Sequence, residues 1–269
     1  TTTFSDDILH GIITDPTGCC VLVWQSGDLG DYNINGARVC GDGSVAWNNV
    51  LCDAPGDQDN PALFADGLGG AYFAWADGRS AQQELDIYAQ HVQADGSATW
   101  APNGIQAISF AQNQNEPSLE VDGNHNLYVA WQDFRSGTDT DVYAQKLSPS
   151  GTMLWPADGK PLCVAVGQQN EQVVATEWGN GLYVVWTDGR GYHSDIYATH
   201  VNESGQMADS YWQSNSGGVV MDFFHIQDAP TVASDGHGGV VTTWQDYRAS
   251  GKEPLINLWS QWVNDYTVS

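Results

Sequence analysis

Five copies of one repeat, each centred on a Trp, run through this chain of 269 residues. The anchor tryptophans stand 51 to 58 residues apart, at Trp24, Trp75, Trp131, Trp186 and Trp244. A repeat of this length accommodates four short strands, which is the content of one propeller blade. The spacing therefore predicts an all-β chain that folds as a five-bladed β-propeller, with residues 1–269 forming a single domain.

The residues around each anchor Trp define the strands of a blade. A first strand, a turn rich in Gly, Asp and Asn, and a second alternating strand end at the Trp, as in EPSLEVDGNHNLYVAW. A third strand follows in the form DIYAQHV or DVYAQKL, and a turn such as ADGSATW leads to the fourth. We expect four-stranded antiparallel blades, with the two termini closing the ring so that no sheet edge stays open.

The chain is strongly acidic, with 33 Asp and Glu against 8 Lys and Arg and a net charge of −25. Such a surface repels the phosphates of nucleic acids and anionic lipids, so both are excluded as partners. No run approaches the roughly eighteen apolar residues of a membrane span, so no membrane insertion is expected. Most of the acids are Asp, which tight turns explain, and calcium binding is the alternative explanation.

The five cysteines match no zinc-binding pattern. Cys19 and Cys20 lie on a strand that is predicted to pair with the strand of Cys40. A disulfide from Cys40 to either of them is therefore one possibility, and buried free thiols are the other. Because the count is odd, at least one thiol has no partner within the chain.

The pattern WxDxR…DIYAQ…DG…W resembles a propeller repeat of exported bacterial proteins, most of which are uncharacterised. The resemblance covers nearly the whole chain. It implies the propeller fold and export, and it implies no particular reaction. Together with the scarcity of Lys and the abundance of Asn, Gly and Trp, it predicts an extracellular or cell-surface location.

Four of the five Arg residues follow an anchor Trp at the same distance, each two residues after an Asp. The pairs are Asp77–Arg79, Asp133–Arg135, Asp188–Arg190 and Asp246–Arg248. A planar guanidinium can hold a carboxylate through two hydrogen bonds. The pairs therefore have two possible roles. They either fix the loop after the anchor Trp of each blade, or form a repeated polar pocket that binds acidic or hydroxylated sugar groups.

A Gln stands just before the first strand of four repeats, at Gln58, Gln114, Gln169 and Gln227. Each Gln either caps backbone groups in a repeated turn or lines a ligand-binding mouth together with the Arg-bearing loops. Acidic residues stand beside it, at Asp59, Glu116, Glu171 and Asp228. These acids are candidate metal ligands, and a site built from oxygen atoms alone favours calcium over zinc.

We expect a non-catalytic extracellular module that binds carbohydrate, in the manner of a lectin, through repeated loops on one propeller face. Aromatic rings would stack on sugars while amides and carboxylates bind the hydroxyl groups. One alternative is a structural or protein–protein interaction subunit of a cell-surface assembly, so the expected partner is a glycan or a surface protein.

The other alternative is a glycoside hydrolase or polysaccharide lyase with carboxylates near the propeller axis. Its candidate catalytic pair is Glu116 and Glu171, because Glu is scarce and both occupy equivalent positions. That same equivalence counts against the enzyme, since a catalytic pair needs two unlike environments.

Overall fold

The computed structural model describes residues 6–28, 30–80, 84–176, 181–208, 212, 216–222, 224–247 and 257–264. Within these ranges the chain forms 19 strands and no helix, which confirms the all-β prediction. The described residues accordingly contain no helix with the length and hydropathy of a membrane span.

The strands pair in five antiparallel sheets. Sheet I consists of β1 (Asp6–Thr14), β2 (Cys19–Asp28), β3 (Asp31–Cys40) and β4 (Val45–Cys52). Sheet II consists of β5 (Gln58–Ala65), β6 (Ala71–Asp77), β7 (Asp86–Val92) and β8 (Ile105–Ile108). Sheet III consists of β9 (Gln114–Val121), β10 (Leu127–Asp133), β11 (Asp141–Leu147) and β12 (Lys160–Cys163).

Sheet IV consists of β13 (Gln169–Thr176), β14 (Leu182–Asp188), β15 (Asp195–Val201) and β16 (Gly218–Met221). Sheet V has three described strands, β17 (Gln227–Ser234), β18 (Gly239–Asp246) and β19 (Asn257–Asn264). Five sheets fit the five predicted blades. The described parts of the two chain ends lie in different sheets, because β1 pairs with β2 and β19 pairs with β18. Closure of the ring by the termini stays a prediction.

The strands group into two compact units. The first contains sheets I and II, the second contains sheets IV and V, and the strands of sheet III are divided between them. In the first unit Val21 packs in one core with Phe73 and Trp75 of sheet II. In the second unit Val185 shares a core with Trp244 of sheet V. Within each unit, therefore, the sheets bury apolar faces against each other.

Three of the anchor tryptophans each pack against a Gly that precedes the fourth strand. The pairs are Trp75–Gly104, Trp131–Gly159 and Trp186–Gly217. A Cβ atom at these glycines would lie only 2.2 to 2.8 Å from the indole ring, and their φ angles are +67° to +80°. The three rings are fully buried. Glycine is therefore required both by the backbone conformation and by the space that the indole occupies.

Asp side chains organise the turn between the first two strands of several sheets. Asp66 Oδ1 accepts the N–H groups of Leu68 and Gly70 at 2.7 and 2.9 Å. The same pattern occurs at Asp15 and Asp235. These bonds show that some of the many Asp residues in the chain form turns.

The cysteine pairing left open by the sequence involves Cys19. Cys19 and Cys40 stand opposite each other on β2 and β3 and form a disulfide. Cys20, Cys52 and Cys163 are free, and the last two are buried.

Candidate functional site

The Asp–Arg pairs form a compact unit beside each anchor Trp. Asp77 is fully buried and accepts the indole N–H of Trp75 at 2.7 Å. Arg79 donates from Nε and Nη2 to the two carboxylate oxygens of Asp77 at 2.7 and 2.5 Å. Its guanidinium also lies 3.8 Å from the ring centre of Tyr88. The carboxylate is thus held by an indole and by a two-bond guanidinium contact.

The same four-residue unit occurs in two further repeats, as Trp131–Asp133–Arg135–Tyr143 and Trp186–Asp188–Arg190–Tyr197. The Arg side chains of the three units are only 12% to 24% exposed. Asp246 is fully buried, and Arg248 lies outside the described residues. In this geometry each Arg is bound within its own blade and holds the loop after the anchor Trp. Ligand binding by these pairs stays a prediction.

The four Gln residues are fully buried at the start of β5, β9, β13 and β17. Each donates its side-chain amide to the carbonyl two residues earlier, at 2.6 to 3.0 Å. The pairs are Gln58–Gly56, Gln114–Gln112, Gln169–Gly167 and Gln227–His225. This is the geometry of a side chain that caps its own turn. Ligand binding by these four glutamines stays a prediction.

A left-handed residue follows each Gln by two positions, a feature that the sequence did not predict. These residues are Asn60, Glu116, Glu171 and Ala229, with φ angles of +48° to +56°. The strand register shifts across three of the four sites, at residues 59–62, 170–173 and 228–231. A left-handed non-glycine residue costs of order 1–3 kcal/mol, and such strain concentrates at functional sites. The bulge therefore marks the start of these strands as a candidate site.

In the second unit this bulge brings two carboxyl groups together. Strands β13 and β17 lie side by side and carry Glu171 and Asp228. Glu171 Oε2 accepts the hydroxyl of Thr187 at 2.7 Å and the backbone N–H of Ala229 at 2.8 Å. Burial and the negative charge of Glu171 raise the pKa of Asp228. One carboxylate is therefore fixed by two donors, while the other is biased toward its protonated form.

The first unit shows how this pair differs from an equivalent site. Asp59 holds the position of Asp228, and Gln25 donates its amide to Asp59 Oδ1 at 2.8 Å. Thr187 holds the position of Gln25, directly after its anchor Trp. The shorter Thr side chain bonds to Glu171 instead, and no side-chain amide among the described residues reaches Asp228. The donor after the anchor Trp thus bonds to a different carboxylate in the two units, and Glu171 and Asp228 have the unlike environments that acid–base chemistry requires.

The predicted catalytic pair, Glu116 and Glu171, occupies the same left-handed position on β9 and β13, and both residues are exposed. Glu116 belongs to the first unit and Glu171 to the second. The structure gives Glu171 a nearby partner in Asp228, a residue that the sequence indicates only as a metal ligand. The catalytic pairing of Glu116 with Glu171 stays a prediction.

The candidate calcium ligands are divided in the same way, with Asp59 and Glu116 in the first unit and Glu171 and Asp228 in the second. Across the described residues, no three side chains of His, Cys, Asp or Glu are grouped so as to hold a metal ion. Calcium binding stays an untested prediction.

A pocket of about 610 Å³ lies in the second unit between the loops that follow β10 and β12. Asp139 and Asp141 line it, and Asp139 accepts the backbone N–H of Gly167 at 2.8 Å. Burial and the neighbouring charges of Asp139 and Asp133 raise the pKa of Asp141 to about 6. The pocket therefore holds a second carboxyl group whose titration is displaced toward neutral pH.

No protein-family model matches the chain, and no curated protein sequence is similar to it. Solved structures do match. A protein of unknown function from Dyadobacter fermentans aligns with 96% of this chain and 82% of its own length, with a TM-score of 0.60 and 12% identity. A Hadza microbial sialidase aligns with 97% of this chain at a TM-score of 0.58 and 12% identity, and the chain spans 57% of that enzyme. An ulvan lyase, which is a polysaccharide lyase, aligns with all of this chain and with 73% of its own length. The TM-score is 0.59 and the sequence identity is 10%.

These likenesses, together with the five antiparallel sheets, show a β-propeller fold. They also correct the functional expectation. The sequence favoured a non-catalytic binding module, but two of the three structures named above are those of a sialidase and a polysaccharide lyase. The catalytic alternative therefore replaces the non-catalytic module as the hypothesis to pursue.

Proposed function

We propose that this chain is a glycoside hydrolase whose catalytic pair is Glu171 and Asp228. The observation that carries the proposal is the asymmetry of the pair. Glu171 is fixed by the Thr187 hydroxyl and the Ala229 N–H, whereas the pKa of Asp228 is raised by burial and by the charge of Glu171. Two carboxyl groups with divided roles are what glycosidic bond cleavage requires.

The roles follow from the two environments. Asp228, protonated, donates its proton to the leaving oxygen as the bond from that oxygen to the anomeric carbon breaks. Glu171, ionised, acts as the base or nucleophile that completes the substitution of the leaving group by water at that carbon. The two hydrogen bonds to Glu171 hold its carboxylate in a fixed orientation, which lowers the cost of reaching the reactive geometry.

Charge favours neutral glycans as the substrate class. The net charge of −25 and the paired carboxylates repel anionic polysaccharides. Arg135 and Arg190 are each bound to an Asp, so neither is available to neutralise a uronate group. Elimination by a lyase needs such neutralisation, because it removes a proton next to the uronate carboxylate. Hydrolysis needs none, and the extracellular location expected from the repeat suits an enzyme that acts on polymers.

The test is a hydrolysis screen of the purified chain on neutral polysaccharides and aryl glycosides, with ulvan and a sialoside as anionic members. We expect cleavage of a neutral glycan, and a loss of about 10²- to 10⁴-fold in kcat/KM for Glu171→Gln and for Asp228→Asn. Glu84→Gln is the matched control and should retain wild-type activity. Full activity in both site variants would overturn the assignment, and an unsaturated uronate product from ulvan would indicate a lyase instead.

A further inference from the structure

An exposed aromatic cluster lies on two loops of the second unit. Tyr192 is 93% exposed and Phe224 is 75% exposed. Both contact His193 edge to face, with ring centres 4.8 and 5.5 Å apart. His225 completes the cluster, with its ring centre 5.5 Å from that of Phe224. Large rings that are gathered together and left in solvent are typical of a binding surface rather than of a core.

The two loops that carry the cluster are fixed to each other. The backbone N–H of Gln227 donates to the carbonyl of Ser194 at 2.9 Å, and the Gln227 side chain donates to the carbonyl of His225 at 2.6 Å. Tyr247 N–H donates to the carbonyl of Ile226 at 3.0 Å. The rings therefore lie on loops that are already ordered. Binding of a ligand to them requires little further ordering of the loops, so little conformational entropy is lost.

The aromatic cluster lies close in sequence to one member of the carboxylate pair. Phe224 is four residues before Asp228, so their Cα atoms are at most about 14 Å apart. Ala229, which holds Glu171, follows immediately. The corresponding loops of three other repeats, DAPGD, SFAQN and VAVGQ, contain at most one aromatic residue where this loop has DFFHI. The aromatic cluster is thus specific to the repeat junction that carries Glu171 and Asp228.

We propose that Tyr192, His193, Phe224 and His225 form a subsite for a sugar ring of the glycan whose bond is cleaved at Glu171 and Asp228. The apolar C–H face of a pyranose or furanose ring packs on aromatic faces, while the imidazoles exchange hydrogen bonds with its hydroxyl groups. This inference rests on the proposed function, which it extends by placing the neighbouring sugar of an oligomeric substrate on the cluster.

The experiment uses the full chain with the change Glu171→Gln, which permits binding without cleavage. Its affinity is measured on a panel of neutral oligosaccharides, alone and combined with Tyr192→Ala, Phe224→Ala or both. We expect the Kd for the bound oligosaccharide to rise about tenfold or more in the combined variant. Tyr192→Phe should retain binding, and Leu68→Ala, which removes a side chain that is 70% exposed in the β5–β6 turn, should change nothing.

The outcomes separate the two proposals. Unchanged affinity in the combined variant, or no binding to any member of the panel, overturns the subsite. Cleavage that depends on Glu171 but has the same KM for oligosaccharides in Tyr192→Ala and Phe224→Ala overturns the subsite alone. Binding that is lost in these variants, in a chain that cleaves nothing, supports the subsite and overturns the hydrolase. Because both rings are exposed, melting temperatures should match that of the wild type.

Discussion

The hydroxyl of Thr187 donates a 2.7 Å hydrogen bond to the carboxylate of Glu171. In the first unit the equivalent residue, Gln25, instead donates to Asp59 of the following repeat. The donor at this position therefore bonds to the acid of its own repeat in the second unit and to the acid of the following repeat in the first unit. Glu171 is thus fixed by this donor, whereas burial and the charge of Glu171 raise the pKa of Asp228.

Thr187→Gln should move the alkaline limb of the pH–activity profile to lower pH. The longer amide is expected to reach Asp228 as Gln25 reaches Asp59, and a donor to the ionised form lowers a carboxyl pKa. Because Asp228 acts as the proton donor, activity falls as pH rises through its pKa. Steady-state kcat/KM measured from pH 4 to pH 9 checks this. Thr187→Ser, which keeps the hydroxyl, serves as the control, and an unmoved limb in Thr187→Gln would contradict the role given to Asp228.

Asp188→Ala should lower the free energy of unfolding by about 3 kcal/mol, because it leaves the guanidinium of Arg190 without its partner in a mostly buried position. It also removes the acceptor of the Trp186 indole. Urea unfolding measures the loss. The double variant Asp188→Ala, Arg190→Ala should recover part of it, because no uncompensated charge then remains. If Asp188→Ala is as stable as the wild type, the Asp188–Arg190 contact does not stabilise the blade.

Asp15→Asn should destabilise the fold at pH 7 and have little effect near pH 2. Burial opposes the ionisation of Asp15, but hydrogen bonds from Thr17 and Arg38 and from the backbone hold its pKa at about 2. A folded-state pKa below that of the unfolded chain stabilises the fold at neutral pH, and this contribution is lost as pH falls from about 4 to 2. Thermal unfolding at pH 7 and pH 2.5 tests the sign. A melting-temperature deficit of equal size at both values would refute the linkage.

Asp141→Asn should have the opposite effect. The pKa of Asp141 is raised to about 6 by burial and by Asp139 and Asp133, so keeping it ionised above that pH costs stability. We expect the variant to melt at a higher temperature than the wild type at pH 7.5 and at the same temperature at pH 4. A variant that is less stable at pH 7.5 would mean that the ionised carboxylate has a stabilising contact in this pocket.

Much of the fold could be predicted because its determinants are local. Alternating strands, Asp–Gly turns and the anchor Trp are each specified within a few residues, and the five copies reinforce one another. The adjacent Asp–Arg contact was also within reach, because the two residues are separated by one position. The ring closure depends on contacts between distant segments, for which a short-range pattern gives no information.

The candidate site escaped prediction for the same reason. Glu171 and Asp228 lie on different repeats, and Thr187, which bonds to Glu171, looks in the sequence like ordinary variation between repeats. The equivalence of Glu116 and Glu171 counted against an enzyme. That equivalence takes no account of what surrounds each carboxylate, which is what gives a residue its chemistry.

The left-handed bulge separates what a repeat must keep from what it can exchange. The capping Gln is the same in four repeats, whereas the residue two positions later is Asn60, Glu116, Glu171 or Ala229. An amide, two acids and a methyl group share one backbone conformation, so that conformation is imposed by the surrounding turn and not by the residue itself. Each of these four repeats thus has one position where the side chain can change while the backbone conformation stays the same, and new chemistry can arise there by a single substitution.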